Sequence, residues 1–362
     1  MPQNLTGMFQ NEPAIMLFTK NPYLAAFLCV TFLPFTILYY LAISFRHFLY
    51  DSGMKSSYQP DVFTISVGNI TVGGTGKTPT VMSLVNSMAK KGMKSLVVTG
   101  GYGRKSRGRV VLNDSTQVTE SGDEPLAIYR KTKSKVVCDK DRTSVIKELS
   151  KSYDAVVLDD AFQHRAIKKH LDIVLIDENR FLGNRLLLPS GILRDKISRL
   201  LSSDVIILSK VKDINSPSVK DKLAYLNKFG KKILLSSLDY SYVSDGTLKT
   251  GLKDISGLNI SLFCGIGNPD DFFSIFNNFR IVCSKIFPDH CSYTEREMAV
   301  LKKLKNNSDI LITTYKDFVK IPQAIVKELN IHYLEIDLKF YDSSRAEYDI
   351  SDLIRGEGLG KK

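Results

Sequence analysis

The sequence predicts an α/β protein: a doubly wound domain on a parallel sheet, then a smaller second α/β domain joined by a β-ribbon. Three observations carry this. Short apolar runs recur from residue 62 onward: "VFTISVG", "SLVVTG", "RVVLND", "KVVCD", "YDAVVLDD", "LDIVLID" and "SDVIILSK". Several are apolar on both faces, as strands of a sheet covered on both sides are. Helical stretches lie between some of them; in "TPTVMSLVNSMAKK", residues 78–91, the apolar residues fall at helical spacing. The composition then turns polar and turn-rich over "SSLDYSYVSDGTLKTGLKDISG", and a strand, glycine turn and helix restart at "ISLFCGIGNPDDFFSIF".

The polar stretch reads as the ribbon, and the last strand-like run, "IHYLEIDLKF", is placed to pair back with it. The expected division is residues 1–50, a membrane-associated N-terminal helix; 51–235, the first α/β domain; 236–350, ribbon and second domain; and 351–362, a basic tail. The length of 362 residues and 43% hydrophobic content fit a folded core and not a disordered chain. The net charge of +12 points to an anionic partner: phosphate ligands, nucleic acid or an acidic membrane surface. Five scattered cysteines without a C-x-x-C pair argue against zinc or a disulfide framework and for a reducing compartment.

Residues 21–44 carry no charge, and their length is about that needed to cross a bilayer core of roughly 30 Å. Lys20 and Arg46 flank the run, and Tyr39, Tyr40 and Tyr50 suit an interface. The run starts too late and is too long for a signal peptide. Pro34 near its middle should kink or split a helix. The segment therefore either spans the membrane or enters one leaflet and lies there; a buried helix or hairpin of a soluble domain is the remaining alternative.

The strand-like "VFTISVG" leads into "NITVGGTGKTPT", residues 69–80. Strand, glycine-rich turn, Lys-Thr and helix form the context of a phosphate loop. Gly73, Gly74 and Gly76 let backbone N–H groups converge on phosphate oxygens, with Thr71, Val72 and Thr75 completing the turn. Lys77 would reach the terminal phosphates and the Thr78 hydroxyl would ligate Mg²⁺. Pro79 falls in the first helical turn, where its missing N–H costs little. Thr71 stands where the general pattern has glycine, so a β-branched residue must tolerate that backbone. The first α/β domain is thus P-loop NTPase-like.

In "YDAVVLDDAFQHR" an apolar strand ends in two acids, the arrangement that delivers a carboxylate to a metal. Asp159 and Asp160 point to opposite sides if the strand continues; one would hold Mg²⁺ and the other orient a neighbour, or one merely caps the turn. Gln163, His164 and Arg165 face substrate, support the acids, or are ordinary surface residues. In "SGDEPLAIYRK", Asp123 and Glu124 precede Pro125 at a helix start; on pattern alone they cap it, although a kinase needs one carboxylate near the acceptor hydroxyl and another near the metal. His290 in "FPDHCSYTE" is either structural or catalytic. Arg104, Lys105, Arg107 and Arg109 form a dense basic loop beside Tyr102, suited to substrate phosphate or anionic headgroups, or simply solvated. Aromatics for base stacking are sparse, which argues against nucleic acid.

Taken in order, "VGNITVGGTGKTP", "GYGRK", "GDEP", "DDAFQHR", "FCGIGNP" and "FPDH" behind an apolar helix resemble the tetraacyldisaccharide 4'-kinases, the lipid A 4'-kinases. These are membrane-associated P-loop enzymes of Gram-negative bacteria, and the likeness covers nearly the whole chain. Thr71 and Pro79 match the family loop. Ala161 replaces the usual glycine of D-D-G-F-Q-H, and Cys291 stands where a second His or Tyr is common. The resemblance implies ATP and Mg²⁺ as cofactors, and transfer of the γ-phosphate to the 4'-hydroxyl of a tetraacylated glucosamine disaccharide 1-phosphate at the cytoplasmic face of the inner membrane. It implies Asp123 as base with His290 as its partner, Lys77 on phosphate, and Asp159, Asp160 and Glu124 serving Mg²⁺. Arg142 in "DKDR" would meet substrate or phosphate, alongside Arg104, Lys105, Gln163 and His164. The rival readings are a membrane-tethered P-loop switch or chaperone, or a nucleotide-binding module without catalysis. A GTPase would want N-K-x-D, and "NKFG" ends in Gly230.

Overall fold

A computed structural model describes residues 22–267, 269–289 and 291–356. The chain opens with α1 (Pro22–Thr31) and α2 (Leu33–Asp51), then β1 (Phe63–Asn69), α3 (Lys77–Lys90), β2 (Ser95–Thr99), β3 (Val110–Val111), α4 (Val118–Ser121), α5 (Asp123–Thr132), β4 (Lys135–Cys138), α6 (Arg142–Leu149) and β5 (Ala155–Asp159). It continues through β6 (Leu171–Asp177), β7 (Val205–Ser209), α7 (Pro217–Asn227), β8 (Lys232–Ser244), β9 (Lys249–Gly251), β10 (Ile260–Cys264) and α8 (Pro269–Ser274). Last come β11 (Ile281–Ile286), α9 (Glu295–Lys305), β12 (Ile310–Thr314), α10 (Tyr315–Phe318), α11 (Gln323–Glu328), β13 (Ile331–Tyr341) and α12 (Asp352–Gly356).

Two compact units interleave along this chain: residues 22–77, Ile146–Ser237 and 340–356 in one, Thr78–Val145 and Leu238–Lys339 in the other. In the first, parallel strands follow the order β8-β7-β6-β1-β5. Every residue of β1, β5 and β7 is buried; β5 and β7 accordingly show no alternation in sequence, whereas β1, FTISVGN, alternates apolar with small or polar residues although both its faces are covered. The register sets Val67 opposite Asp159, which brings the end of β1 beside the two acids. The core beneath contains Ile70, Phe162, Val174, Ile176, Leu182 and Leu208.

In the second unit β2 and β4 are parallel, and β3 joins β4 antiparallel as a two-residue edge, shorter than the run "RVVLND" suggests. The other strands follow β11-β10-β12-β13 in parallel. β8 and β9 form the expected antiparallel ribbon, with Val243 opposite Thr250. β13 borders β8, where Lys339 and Asp239 meet at 2.8 Å. Phe263, Leu311 and Phe318 centre one cluster, and Leu262, Phe272 and Phe276 another.

The N-terminal expectation needs correction. The apolar run is not one helix; it breaks between Thr31 and Leu33, with Pro34 in the first turn of α2. Among the described residues no helix is long and apolar enough to cross a membrane. The reason is chemical as well as geometric, because one side of α2 is spoken for. Thr36 Oγ1 lies 2.8 Å from Ser190 Oγ, Tyr39 OH donates to Arg194 O at 2.8 Å, and buried His47 meets Asp195 Oδ1 at 2.8 Å. The opposite side presents Leu38, Leu41, Phe45 and Phe48 to solvent.

Candidate active site

In the first unit the phosphate loop is held from several sides. Asn69, the last residue of β1, donates from Nδ2 to Thr75 Oγ1 at 3.0 Å. Its backbone oxygen accepts from Gln163 Nε2 at 2.9 Å, and its Oδ1 accepts from Arg194 Nη1 at 3.2 Å. Ser209 Oγ donates to Thr75 O at 2.8 Å. Thr71 keeps an ordinary backbone and makes an antiparallel bridge with Leu193, with Val72 N donating to Ile192 O and Arg194 N to Ile70 O. That pairing is why the missing glycine does no harm: the loop's entry is extended, a region β-branched residues favour. The positive φ angles fall on Gly73 and Gly76.

Asp159 ends β5 almost fully buried, and the strand stops there. Asp160 takes a left-handed backbone, φ 48°, so the two carboxylates leave the chain by a turn and not by strand alternation. Lys77 Nζ lies 3.7 Å from Asp160 Oδ1, and Arg194 forks onto the same carboxylate at 3.2–3.4 Å. Two cations thus converge on one acid beside the loop. The buried methyl of Ala161, at negative φ, makes the family's usual glycine dispensable. Gln163 braces the loop, while its backbone oxygen accepts from Arg46 at 2.6 Å. Arg165 is held by α2, donating to His47 O and to Asp51 Oδ1. His164 is half-buried in the same turn.

In the second unit, Asp123 starts α5 and is 4% exposed. The helix cap is Gly122, whose φ is 87° and whose Cβ position lies 2.6 Å from Tyr102 O, and Asp123 Oδ1 accepts from Glu124 N at 3.0 Å in the first turn. Asp123 Oδ2 lies 3.4 Å from Lys316 Nζ and 3.7 Å from Lys320 Nζ. Lys316 also reaches Asp289 Oδ1 at 3.3 Å, and Lys320 pairs with fully buried Asp317 at 3.0 Å. Asp317 in turn accepts from Gly265 N at 2.8 Å. Asp123, Gly265 and Asp289, from three separate motifs of the sequence, thus meet around α10. Burial disfavours the Lys316 ammonium, but Asp123, then Asp289 and Glu124, more than offset it and hold its pKa above the ordinary value. Burial, aided by Asp317, pushes the Cys264 thiol up to about 12, which leaves it protonated and inert. His290 lies outside the described residues.

The basic loop packs on the same corner. Lys105 N donates to Thr119 O at 2.8 Å, and Arg104 Nη1 to Cys138 O at 3.0 Å. Arg142, 8% exposed, brings its guanidinium 3.3 Å from the Cβ position of Gly100. Lys105, Arg107 and Tyr102 face solvent, whereas Arg109 is engaged with Asp139 at 3.0 Å. Thr78 and Glu124 are the second residues of α3 and α5 respectively. Arg180, Arg194, Lys316 and Lys320 are the residues sequence reasoning missed. The available signal for the two arginines was position: both lie in the chain that follows the carboxyl end of β6, where parallel sheets build their sites.

A strand, phosphate loop and helix, with the loop lysine on a carboxylate from the turn that ends the adjacent strand, define a P-loop nucleotide-binding protein. The family model described as tetraacyldisaccharide-1-P 4'-kinase matches residues 28–355. The tetraacyldisaccharide 4'-kinase of Haemophilus influenzae is 33% identical over 318 residues, covering 86% of this chain and 89% of that one. That of Flavobacterium psychrophilum is 30% identical, covering 88% and 94%. LpxK of Aquifex aeolicus, solved in complex with ATP, superposes with a TM-score of 0.72 at 27% identity, covering 91% and 99%. The chain belongs to the tetraacyldisaccharide 4'-kinase family.

Proposed function

We propose that the chain transfers the γ-phosphoryl group of ATP to the 4'-hydroxyl of tetraacyldisaccharide 1-phosphate, a step of lipid A biosynthesis. The observation that carries this reading is the convergence of Lys77 and Arg194 on Asp160 at the mouth of the phosphate loop. Phosphoryl transfer asks the protein for alignment and charge neutralisation more than for covalent chemistry. The N–H groups of residues 73–78 cradle the phosphates. Lys77 and Arg194 exchange the carboxylate for phosphate oxygens when nucleotide enters.

The Thr78 hydroxyl and the carboxylates of Asp159, Asp160 and Glu124 would hold Mg²⁺ through oxygen alone, as a hard divalent ion requires; among the described residues no three His, Cys, Asp or Glu side chains are already gathered as a metal site. When bound, the ion neutralises charge on the transferred group. Asp123 takes the proton of the 4'-hydroxyl as that oxygen attacks. Lys316 and Lys320 hold its carboxylate in place, and His290 acts as its partner; Asp289, the preceding residue, is joined to Asp123 through Lys316. Arg104, Lys105 and Arg142 meet the 1-phosphate of the acceptor. The apolar side of α1 and α2 rests in one leaflet at the cytoplasmic face of the inner membrane. Phe27, Val30, Leu38, Leu41 and Phe45, each at least 57% exposed, support this, as does Lys196 beside Tyr40 at the margin.

The test uses purified protein, Mg-ATP and dispersed tetraacyl disaccharide 1-phosphate. A bis-phosphorylated lipid, formed one for one with ADP, is expected. ATP hydrolysis with no lipid product would favour the switch or chaperone reading instead.

A further inference from the structure

We propose that Arg180 is an arginine finger supplied in cis, a catalytic residue whose guanidinium contacts the γ-phosphoryl group during transfer. The proposal rests on the ATP reading of the loop and goes beyond it by assigning a residue that the loop pattern does not contain. The starting observation is at Gly73. A Cβ built there would lie 2.4 Å from Arg180 Nη1, 2.8 Å from Nη2 and 3.0 Å from Cζ. The guanidinium therefore lies directly on the phosphate-binding turn, in the volume any side chain at position 73 would fill. Gly73 is required twice, by its φ of 91° and by this contact.

The rest of Arg180 is fixed in advance. Its backbone N–H donates to Asp177 Oδ1 at 3.1 Å, where β6 ends. Phe181 N donates to Asp177 O at 2.7 Å, and Gly183 N to Arg180 O at 2.9 Å, closing a tight turn. Phe181 holds a left-handed backbone, φ 45°, and is buried edge-on against Tyr225 at 5.7 Å. Asp177 is itself nearly buried and paired with Lys210 at 3.1 Å. A guanidinium on such a mount is pre-organised, so little ordering remains to be done when its ligand arrives.

Among the described residues no carboxylate or carbonyl accepts a hydrogen bond from the Arg180 side chain, although the residue is half-buried. Lys77 and Arg194 share Asp160, whereas the Arg180 guanidinium lies against the loop with no protein acceptor among the described residues. A planar fork of donors held against a phosphate loop fits a phosphoryl group with two oxygens to offer. Negative charge shifts across the γ-phosphoryl oxygens and the β–γ bridging oxygen as that P–O bond breaks and the bond to the 4'-oxygen forms. The acceptor proton goes to Asp123, and Arg180 exchanges no atom.

The experiment compares the full-length protein with Arg180→Ala and Arg180→Lys, measuring lipid phosphorylation and the binding of ATP and of ADP. Arg180→Ala should lose roughly 10³-fold in kcat, the scale of an arginine finger, with ADP affinity nearly unchanged. Arg180→Lys, which keeps the charge and loses the fork, should fall at least about tenfold; it carries the same test should the alanine variant fail to fold. Added guanidinium should restore part of the alanine variant's rate, a rescue that a purely structural defect would not show. Either of two outcomes overturns the proposal: both variants turning over near the wild-type rate, or equal weakening of ATP and ADP with kcat retained. A wild-type protein that makes no bis-phosphorylated lipid would instead overturn the parent reading.

Discussion

The outward side of α2 yields a measurable partition energy. Leu38, Leu41, Phe45 and Phe48 recur at helical spacing and are 62%, 57%, 62% and 57% exposed. Full burial of such a side chain is worth about 1.5–3 kcal/mol. At about three-fifths exposure each contributes about 1–2 kcal/mol on entering lipid, so the four together supply about 4–7 kcal/mol. One decade in partition costs about 1.4 kcal/mol, which makes the stripe worth roughly 10³-fold or more. Replacing all four by Gln leaves the inward contacts of Thr36, Tyr39 and His47 intact. In a sedimentation assay with vesicles containing anionic phospholipid, the quadruple variant should bind at least about a hundredfold more weakly, allowing for partial insertion depth. Far-UV circular dichroism should be unchanged. A variant that sediments with vesicles as the parent does would refute the leaflet assignment.

Three further outcomes follow from single side chains. Gly68→Ala places a Cβ 2.6 Å from Phe162 Cβ and 2.8 Å from its backbone nitrogen, so the end of β1 must move; a loss of about 1–3 kcal/mol in denaturant unfolding, together with weaker ATP binding, is expected. Retained stability and binding would mean that the strand end yields freely. Asp123→Asn should lower kcat by roughly 10²–10⁴ while ATP affinity stays nearly constant, and an active variant would remove Asp123 as base. Burial raises the pKa of Glu335, but its hydrogen bond and ion pair with Lys131 prevail and hold it below the usual 4.5. A depressed carboxylate stabilises the fold above its unfolded pKa, and that contribution is lost as pH falls through the folded one. Glu335→Gln should therefore cost about 1–3 kcal/mol at pH 7, with the difference shrinking in acid below the unfolded pKa of 4.5; a gap that persists there would contradict the pairing.

Much of this was legible in the sequence because local chemistry carries it. Doubly apolar runs became the buried strands β5, β6 and β7, the alternating run before the phosphate loop became β1, and the polar stretch became the ribbon of β8 and β9. The phosphate loop and the Asp-Asp pair were readable because strand, turn and helix sit within a few residues of one another. What stayed hidden depends on residues far apart in the chain. Nothing near Thr71 reveals the bridge to Leu193 that makes its side chain tolerable. Arg180 and Arg194 reach the loop from more than a hundred positions away, and Lys316 reaches Asp123 from nearly two hundred. The N-terminal run was read by length and lack of charge, and neither property reports that Thr36, Tyr39 and His47 have partners in the fold. Those contacts turn a candidate span into a helix with one wet or lipid-facing side.

The most direct test of the central claim is the position of the new phosphate. Purified protein is incubated with Mg-ATP carrying a labelled γ-phosphate and with tetraacyl disaccharide 1-phosphate, and the lipid product is analysed by ³¹P nuclear magnetic resonance and fragmentation mass spectrometry. The account predicts one labelled phosphate per lipid, on the 4'-oxygen, with the 1-phosphate retained, and no product from Lys77→Ala. Label in inorganic phosphate alone, or on any other position of the lipid, would contradict it.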